Sequence, residues 1–102
     1  MNVEEIDAQT LKARLAENPG SIVLIDVREP FEYSEGVIEG AVFIPMNSIP
    51  YSLDELDKDA ETVIYCAHGI RSYQVAAYLM QNGFSNVKSL ADGYVAWAYY
   101  AR

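Results

Sequence analysis

Two uninterrupted apolar stretches constrain the fold of this chain more than any other feature: SIVLIDV (Ser21–Val27) and ETVIYC (Glu61–Cys66). A strand with one wet face alternates apolar and polar residues. A continuous β-branched run is instead buried on both faces, as in a parallel sheet covered by helices on each side. The segments around these runs supply such helices. DAQTLKARLAENPG reads as a helix with Asp7 as its N-cap, Leu11 and Leu15 on one face, and Asn18-Pro19-Gly20 as its stop. RSYQVAAYLMQNG reads as a second helix, with Val75 and Leu79 one turn apart and Asn82-Gly83 ending it. DGYVAWAYYAR gives a last helix, which Asp92 is placed to cap. REPFEYSEG reads as a short helical turn or loop ending near Gly36, and SIPYSLDELDKDA as a short acidic helix with a solvated face. AVFIP and FSNVKSL add two short strands. Alternating strands and helices imply an α/β domain with a mainly parallel sheet, and the length of 102 residues suits one domain spanning residues 1–102.

Composition narrows the function. The formal net charge is −8, so a nucleic-acid partner is not expected, because phosphate binding needs a basic face. The same charge disfavours an anionic membrane surface, and MNVEEIDAQT lacks the apolar stretch of a secretory signal or a membrane span. A single cysteine excludes an intramolecular disulfide, a Cys-only zinc site and a two-cysteine redox relay within the chain. A free thiol without a leader fits the reducing cytoplasm, where the chain is expected.

In parallel sheets, ligands bind at the carboxyl ends of the strands, which selects Asp26-Val27-Arg28 and the segment from Cys66 onward. Cys66-Ala67-His68-Gly69-Ile70-Arg71, followed by Ser72, joins a strand end to a helix start. A short arc there turns its amides toward the sulfur, and the helix N-terminus adds free N–H groups and partial positive charge. Such a nest lowers the thiol pKa and favours the reactive thiolate. Gly69 permits backbone angles that a Cβ would penalise. Cysteine-type phosphatases wrap a phosphate in an arc one residue longer than the four residues between Cys66 and Arg71. The shorter arc is expected to form a smaller bowl, suited to one extra sulfur atom.

These features together resemble the rhodanese-like sulfurtransferases in their single-domain form. LIDVREPFEYSEGVIEGAVFIP is similar to the family's first box, IYCAHGIRS to its active-site loop, and NGFSNVKSLADGYVAWAYY to its closing strand and helix. The first box departs from the family's usual Gly-His-Ile-Pro-Gly-Ala, reading Gly36-Val37-Ile38-Glu39-Gly40-Ala41. The loop is also less cationic than those of the thiosulfate-preferring two-domain enzymes. The resemblance implies a mainly parallel, about five-stranded sheet with helices on both faces. It also implies transfer of a sulfane sulfur from thiosulfate or another persulfide donor to a thiol or cyanide, through a Cys66 persulfide.

In that scheme Cys66 is the nucleophile, and the loop from Ala67 through His68, Gly69, Ile70 and Arg71 to Ser72 holds the anionic sulfur. Two roles fit Arg71: steering an anionic donor, or tying the loop by an ion pair to Glu32 or Asp26. Two fit His68: charge or a hydrogen bond for the donor, or a plain exposed loop position. Asp26 and Arg28 are expected to support the loop through hydrogen bonds and pairing, with direct substrate contact as the alternative. Ile70 and Tyr73 flank the loop as candidate pocket wall. Trp97 with Tyr94 reads as core packing. No cofactor and no metal are expected. The expected partners are a small sulfur donor and a thiol acceptor, or a sulfur-carrier protein, acting on a monomer. Two rival readings are a rhodanese-like module that docks on a sulfur-trafficking protein, and a phosphatase or arsenate reductase.

Overall fold

The computed structural model describes residues 2–100. Residues 101 and 102, the end of the expected last helix, lie outside the described residues. Five strands form one sheet: β1 (Glu4–Ile6), β2 (Val23–Asp26), β3 (Val42–Phe43), β4 (Thr62–Tyr65) and β5 (Val87–Leu90). Their order is β1-β5-β4-β2-β3, and every pairing is parallel. The two apolar runs become the adjacent strands β2 and β4, in register from Val23↔Thr62 to Asp26↔Tyr65. Their carboxyl ends, and the loops that follow, therefore stand side by side.

Three α-helices cover the sheet: α1 (Ala8–Glu17), α2 (Ile70–Gln81) and α3 (Gly93–Tyr100). Successive residues of each buried strand feed opposite faces. Ile25 and Ile64 pack with Val75, Ala76 and Leu79 of α2, and with Ile49. Leu24 and Val63 pack with Ala8 and Leu11 of α1, with Tyr94 and Trp97 of α3 against them. Trp97 and Tyr94 are thus packing residues. Asp7 caps α1 by accepting from the Thr10 amide at 2.7 Å, and Asn18 closes it.

Three local expectations change. β1 carries no pattern of its own, since only Ile6 of its Glu4-Glu5-Ile6 is buried, and it enters the sheet by pairing with β5. The expected acidic helix is two 3-10 helices, Met46–Tyr51 and Leu53–Glu55. Pro50, which lacks an N–H, sits in the first, and each closes on i→i+3 bonds (Ser52 N to Ile49 O at 3.0 Å; Leu56 N to Leu53 O at 3.2 Å). Asp92 does not cap α3. Its φ of 60° is left-handed rather than the extended conformation of an N-cap, and the first amides of α3 find acceptors elsewhere. Among the described residues no helix is long and apolar enough to cross a membrane.

Candidate active site

Cys66 is the residue after β4, on the α2 side of the sheet, and is 1% exposed. Three groups converge on its sulfur. The Gly69 amide lies 3.2 Å from Sγ, the Ser72 amide 3.3 Å, and the Ser72 hydroxyl oxygen 3.4 Å. Gly69 makes the arc possible. It sits at φ 96° as the residue before α2, and a Cβ there would stand 3.2 Å from the Asp92 backbone nitrogen. Burial pushes the Cys66 thiol up. The Ser72 hydroxyl and amide, with the Gly69 and His68 amides, outweigh it, and the net shift is downward.

The opposite side of the loop is held by α3. The Tyr94 amide donates to the Cys66 carbonyl at 2.8 Å, and the Val95 amide to the Ala67 carbonyl at 3.1 Å. Two of the orphan N–H groups of the α3 N-terminus are thus satisfied by the carbonyls of Cys66 and the residue after it.

The strand-end pair behaves as a structural post. Arg28 and Asp26 are both 0% exposed, with Nη2 of Arg28 2.8 Å from Oδ2 of Asp26. Arg28 also donates to the Gly36 carbonyl at 2.8 Å and the Glu32 carbonyl at 3.3 Å. Its guanidinium lies 4.6 Å from the Tyr94 ring centroid and 5.4 Å from that of Tyr65. Arg28 thereby fixes the 3-10 helix Pro30–Glu35 against β2. The Glu32 carboxylate on that helix then receives Arg71 in a two-pronged pair, at 2.7 and 2.9 Å. Of the two partners considered for Arg71, the structure pairs it with Glu32 and not Asp26. Where the first box lacks its usual His and Pro, Ile38 is 2% exposed and its amide donates to the Tyr65 hydroxyl at 3.2 Å, which holds the turn.

The remaining sequence candidates sit at the rim. His68 is exposed and Ala67 half-buried. Ile70 is 71% exposed and Tyr73 38%. With Glu5, His68, Gly69, Gln74 and Asp92 they line a cavity of about 470 Å³ against the loop. Sequence reasoning missed Ser89, which is 0% exposed on β5 and lies 2.8 Å from the Ser72 hydroxyl. In Val87-Lys88-Ser89-Leu90, where a lysine precedes it, the serine carries no signal of its own. The closeness of Gly93 to the loop leaves no local mark in the sequence. Among the described residues no group of three or more His, Cys, Asp or Glu side chains is placed to hold a metal ion.

The clamp gives a pH expectation. Hydrogen bonding from Arg71, opposed by burial and helped by the Glu29 backbone, lowers Glu32 from the usual 4.5 to about 2. A depressed carboxyl contributes its full stabilisation above its unfolded value and loses it as pH falls through the folded one. Stability should therefore fall between pH 4.5 and about 2, and in the folded protein the Arg71 side-chain resonance should move with a midpoint near pH 2, a transition that Glu32→Gln should abolish. A wild-type resonance that titrates unchanged from free arginine would contradict the clamp.

A parallel α/β sheet holds one cysteine sulfur among amides at a strand–loop–helix junction. The rhodanese-like domain profile matches residues 7–99. The chain is 46% identical over 96 residues to a sulfurtransferase of Allochromatium vinosum, covering 94% of this chain and 89% of that protein. It is 40% identical over 75 residues to the thiosulfate sulfurtransferase GlpE of Pseudomonas entomophila, covering 74% and 69%. The crystal structure of a rhodanese-like domain protein from Staphylococcus aureus superposes with a TM-score of 0.86 at 35% identity, covering 93% of this chain and 91% of that one. The chain belongs to the rhodanese-like domain family.

Proposed function

We propose that this protein is a sulfurtransferase that carries a sulfane sulfur on Cys66 between a donor and an outside acceptor. The observation that carries the reading is the convergence of the Gly69 and Ser72 amides and the Ser72 hydroxyl on one buried sulfur. Such a cradle stabilises an anion through fixed dipoles in a dry site. The Cys66 thiolate attacks the outer sulfur of thiosulfate. The sulfur–sulfur bond breaks, sulfite leaves with the electron pair, and a persulfide remains. An acceptor thiolate or cyanide then attacks the terminal sulfur, and Cys66 departs as thiolate.

Three further observations support this reading. Relatives at 46% and 40% identity are named sulfurtransferase and thiosulfate sulfurtransferase. Cys66 is the only cysteine, so no second thiol of the chain can resolve the persulfide as a disulfide. Arg71 is already engaged by Glu32, so anion recognition falls to the loop amides.

Initial rates with thiosulfate and cyanide should give parallel double-reciprocal lines, the signature of a covalent intermediate. Cys66→Ser should show no transfer above background. Intersecting lines, or turnover retained by Cys66→Ser, would remove the proposal.

A further inference from the structure

Two buried hydroxyls stand in line with the Cys66 sulfur. Ser72 Oγ, from the first turn of α2, lies 3.4 Å from Sγ and 2.8 Å from Ser89 Oγ of β5. Both serines are 0% exposed. Among the described residues, Ser72 is the only hydrogen-bond partner of the Ser89 hydroxyl.

The hydrogens of this row can be counted. Sulfur, Ser72 oxygen and Ser89 oxygen leave two gaps between them. If Cys66 is a thiol, three hydrogens compete for the two gaps. Either sulfur donates to Ser72 and Ser72 to Ser89, which leaves the Ser89 hydrogen without an acceptor in the row, or Ser89 donates to Ser72 and Ser72 to sulfur, which leaves the thiol hydrogen without one. A buried donor without an acceptor is penalised. If Cys66 is a thiolate, the two hydroxyl hydrogens fill both gaps and point the same way: Ser89 donates to Ser72, and Ser72 donates to sulfur. The row is complete only when the sulfur is anionic. Each bond in such a chain also polarises the next.

We propose that Ser89 is a positioning residue for Cys66: as donor to Ser72 it turns the Ser72 hydroxyl toward the sulfur, and so favours the anionic state of Cys66. The value of this for turnover rests on Cys66 being the nucleophile; the hydrogen count does not. The other charged or titratable groups nearby make no hydrogen bond to this row. Arg71 on α2 adds positive charge felt by the sulfur, and its guanidinium is held by Glu32. Asp26 and Arg28 at the end of β2 pair with each other. Burial pushes the Tyr65 phenol of β4 up, so it stays protonated. His68 in the loop, Glu5 of β1 and Asp92 before α3 are all exposed.

The test is a titration of the ultraviolet thiolate absorbance, taken as the difference from the matching Cys66→Ser protein so that the eight tyrosines cancel and the one cysteine is read. Ser89→Ala should raise the midpoint by roughly half a pH unit to one unit, the scale of one weakened hydrogen bond to a charged group. Ser72→Ala should raise it at least as much. Because Ser89 acts through Ser72, Ser89→Ala should add nothing in the Ser72→Ala background. Ser89→Thr and Ser89→Val have the same shape and guard against a packing effect. The first should keep the wild-type midpoint and the second should shift like Ser89→Ala. An unmoved midpoint in Ser89→Ala, equal shifts with and without the Ser72 hydroxyl, or equal shifts in the Thr and Val variants would overturn the proposal. Failure of the sulfur-transfer reading would appear separately, as absence of sulfur uptake with this titration pattern intact.

Discussion

Arg28→Ala is expected to lose about 3–5 kcal/mol of folding stability, the usual effect of breaking a fully buried ion pair and leaving one charge uncompensated. That is a large fraction of the roughly 5–15 kcal/mol available to a domain. The variant strands the Asp26 carboxylate in a site where both partners are 0% exposed. It also strips donors from the Gly36 and Glu32 carbonyls. Arg28→Lys should recover only part of the loss, because an ammonium cannot span both carboxylate oxygens and still reach those carbonyls. Replacing both partners with apolar residues should lose less than Arg28→Ala alone, since no bare charge remains. Urea denaturation measures all three. A loss below about 1 kcal/mol for Arg28→Ala, the range of exposed pairs, would show that this pair is not the post described.

Gly93→Ala should damage stability and sulfur transfer together. A Cβ at Gly93 would stand 2.5 Å from the Ala67 carbonyl carbon and oxygen, and 2.6 Å from the Cys66 carbonyl oxygen. These are backbone atoms of the Cys66 loop and cannot rotate away. Gly93 also has φ 65°, a left-handed conformation that disfavours a side chain. Strain and overpacking together should amount to about 2–5 kcal/mol. Relief requires α3 to back off the loop, which breaks the bonds from the Tyr94 and Val95 amides and shifts the peptides that aim Gly69 and Ser72 at the sulfur. Gly83→Ala is the control. It shares the positive φ, at 90°, but a Cβ there meets only the Lys58 side chain, at 3.7 Å and beyond. It should lose stability and keep full activity per folded molecule. If Gly93→Ala retains wild-type activity per folded molecule, the contact between α3 and the loop does not shape the site.

The elements legible in the sequence were those whose own residues carry the signal. SIVLIDV and ETVIYC had to be buried strands, and a lone cysteine at the end of one, with glycine and serine after it, marked the cradle. The four residues between Cys66 and Arg71 set the length of the arc. What was not legible depends on distant partners. Glu4-Glu5-Ile6 is too short and too charged to show a period, and is a strand only because β5 offers an edge. Asp92 has the chemistry of a cap, yet α3 starts against the Cys66 and Ala67 carbonyls. Arginine is almost never fully buried. Pairing of Arg28 with a neighbour was foreseeable, but its complete burial depends on Asp26, two carbonyls and a ring of tyrosines gathered from β4, α3 and the 3-10 helix. Ser89 reads as an ordinary strand residue until α2 places Ser72 beside it.

The most direct test of the central claim is the intact mass of the protein after exposure to thiosulfate and removal of excess reagent. The account expects a gain of one sulfur atom, located on Cys66, discharged by cyanide and absent from Cys66→Ser. No gain, or a gain that persists in Cys66→Ser, would contradict it.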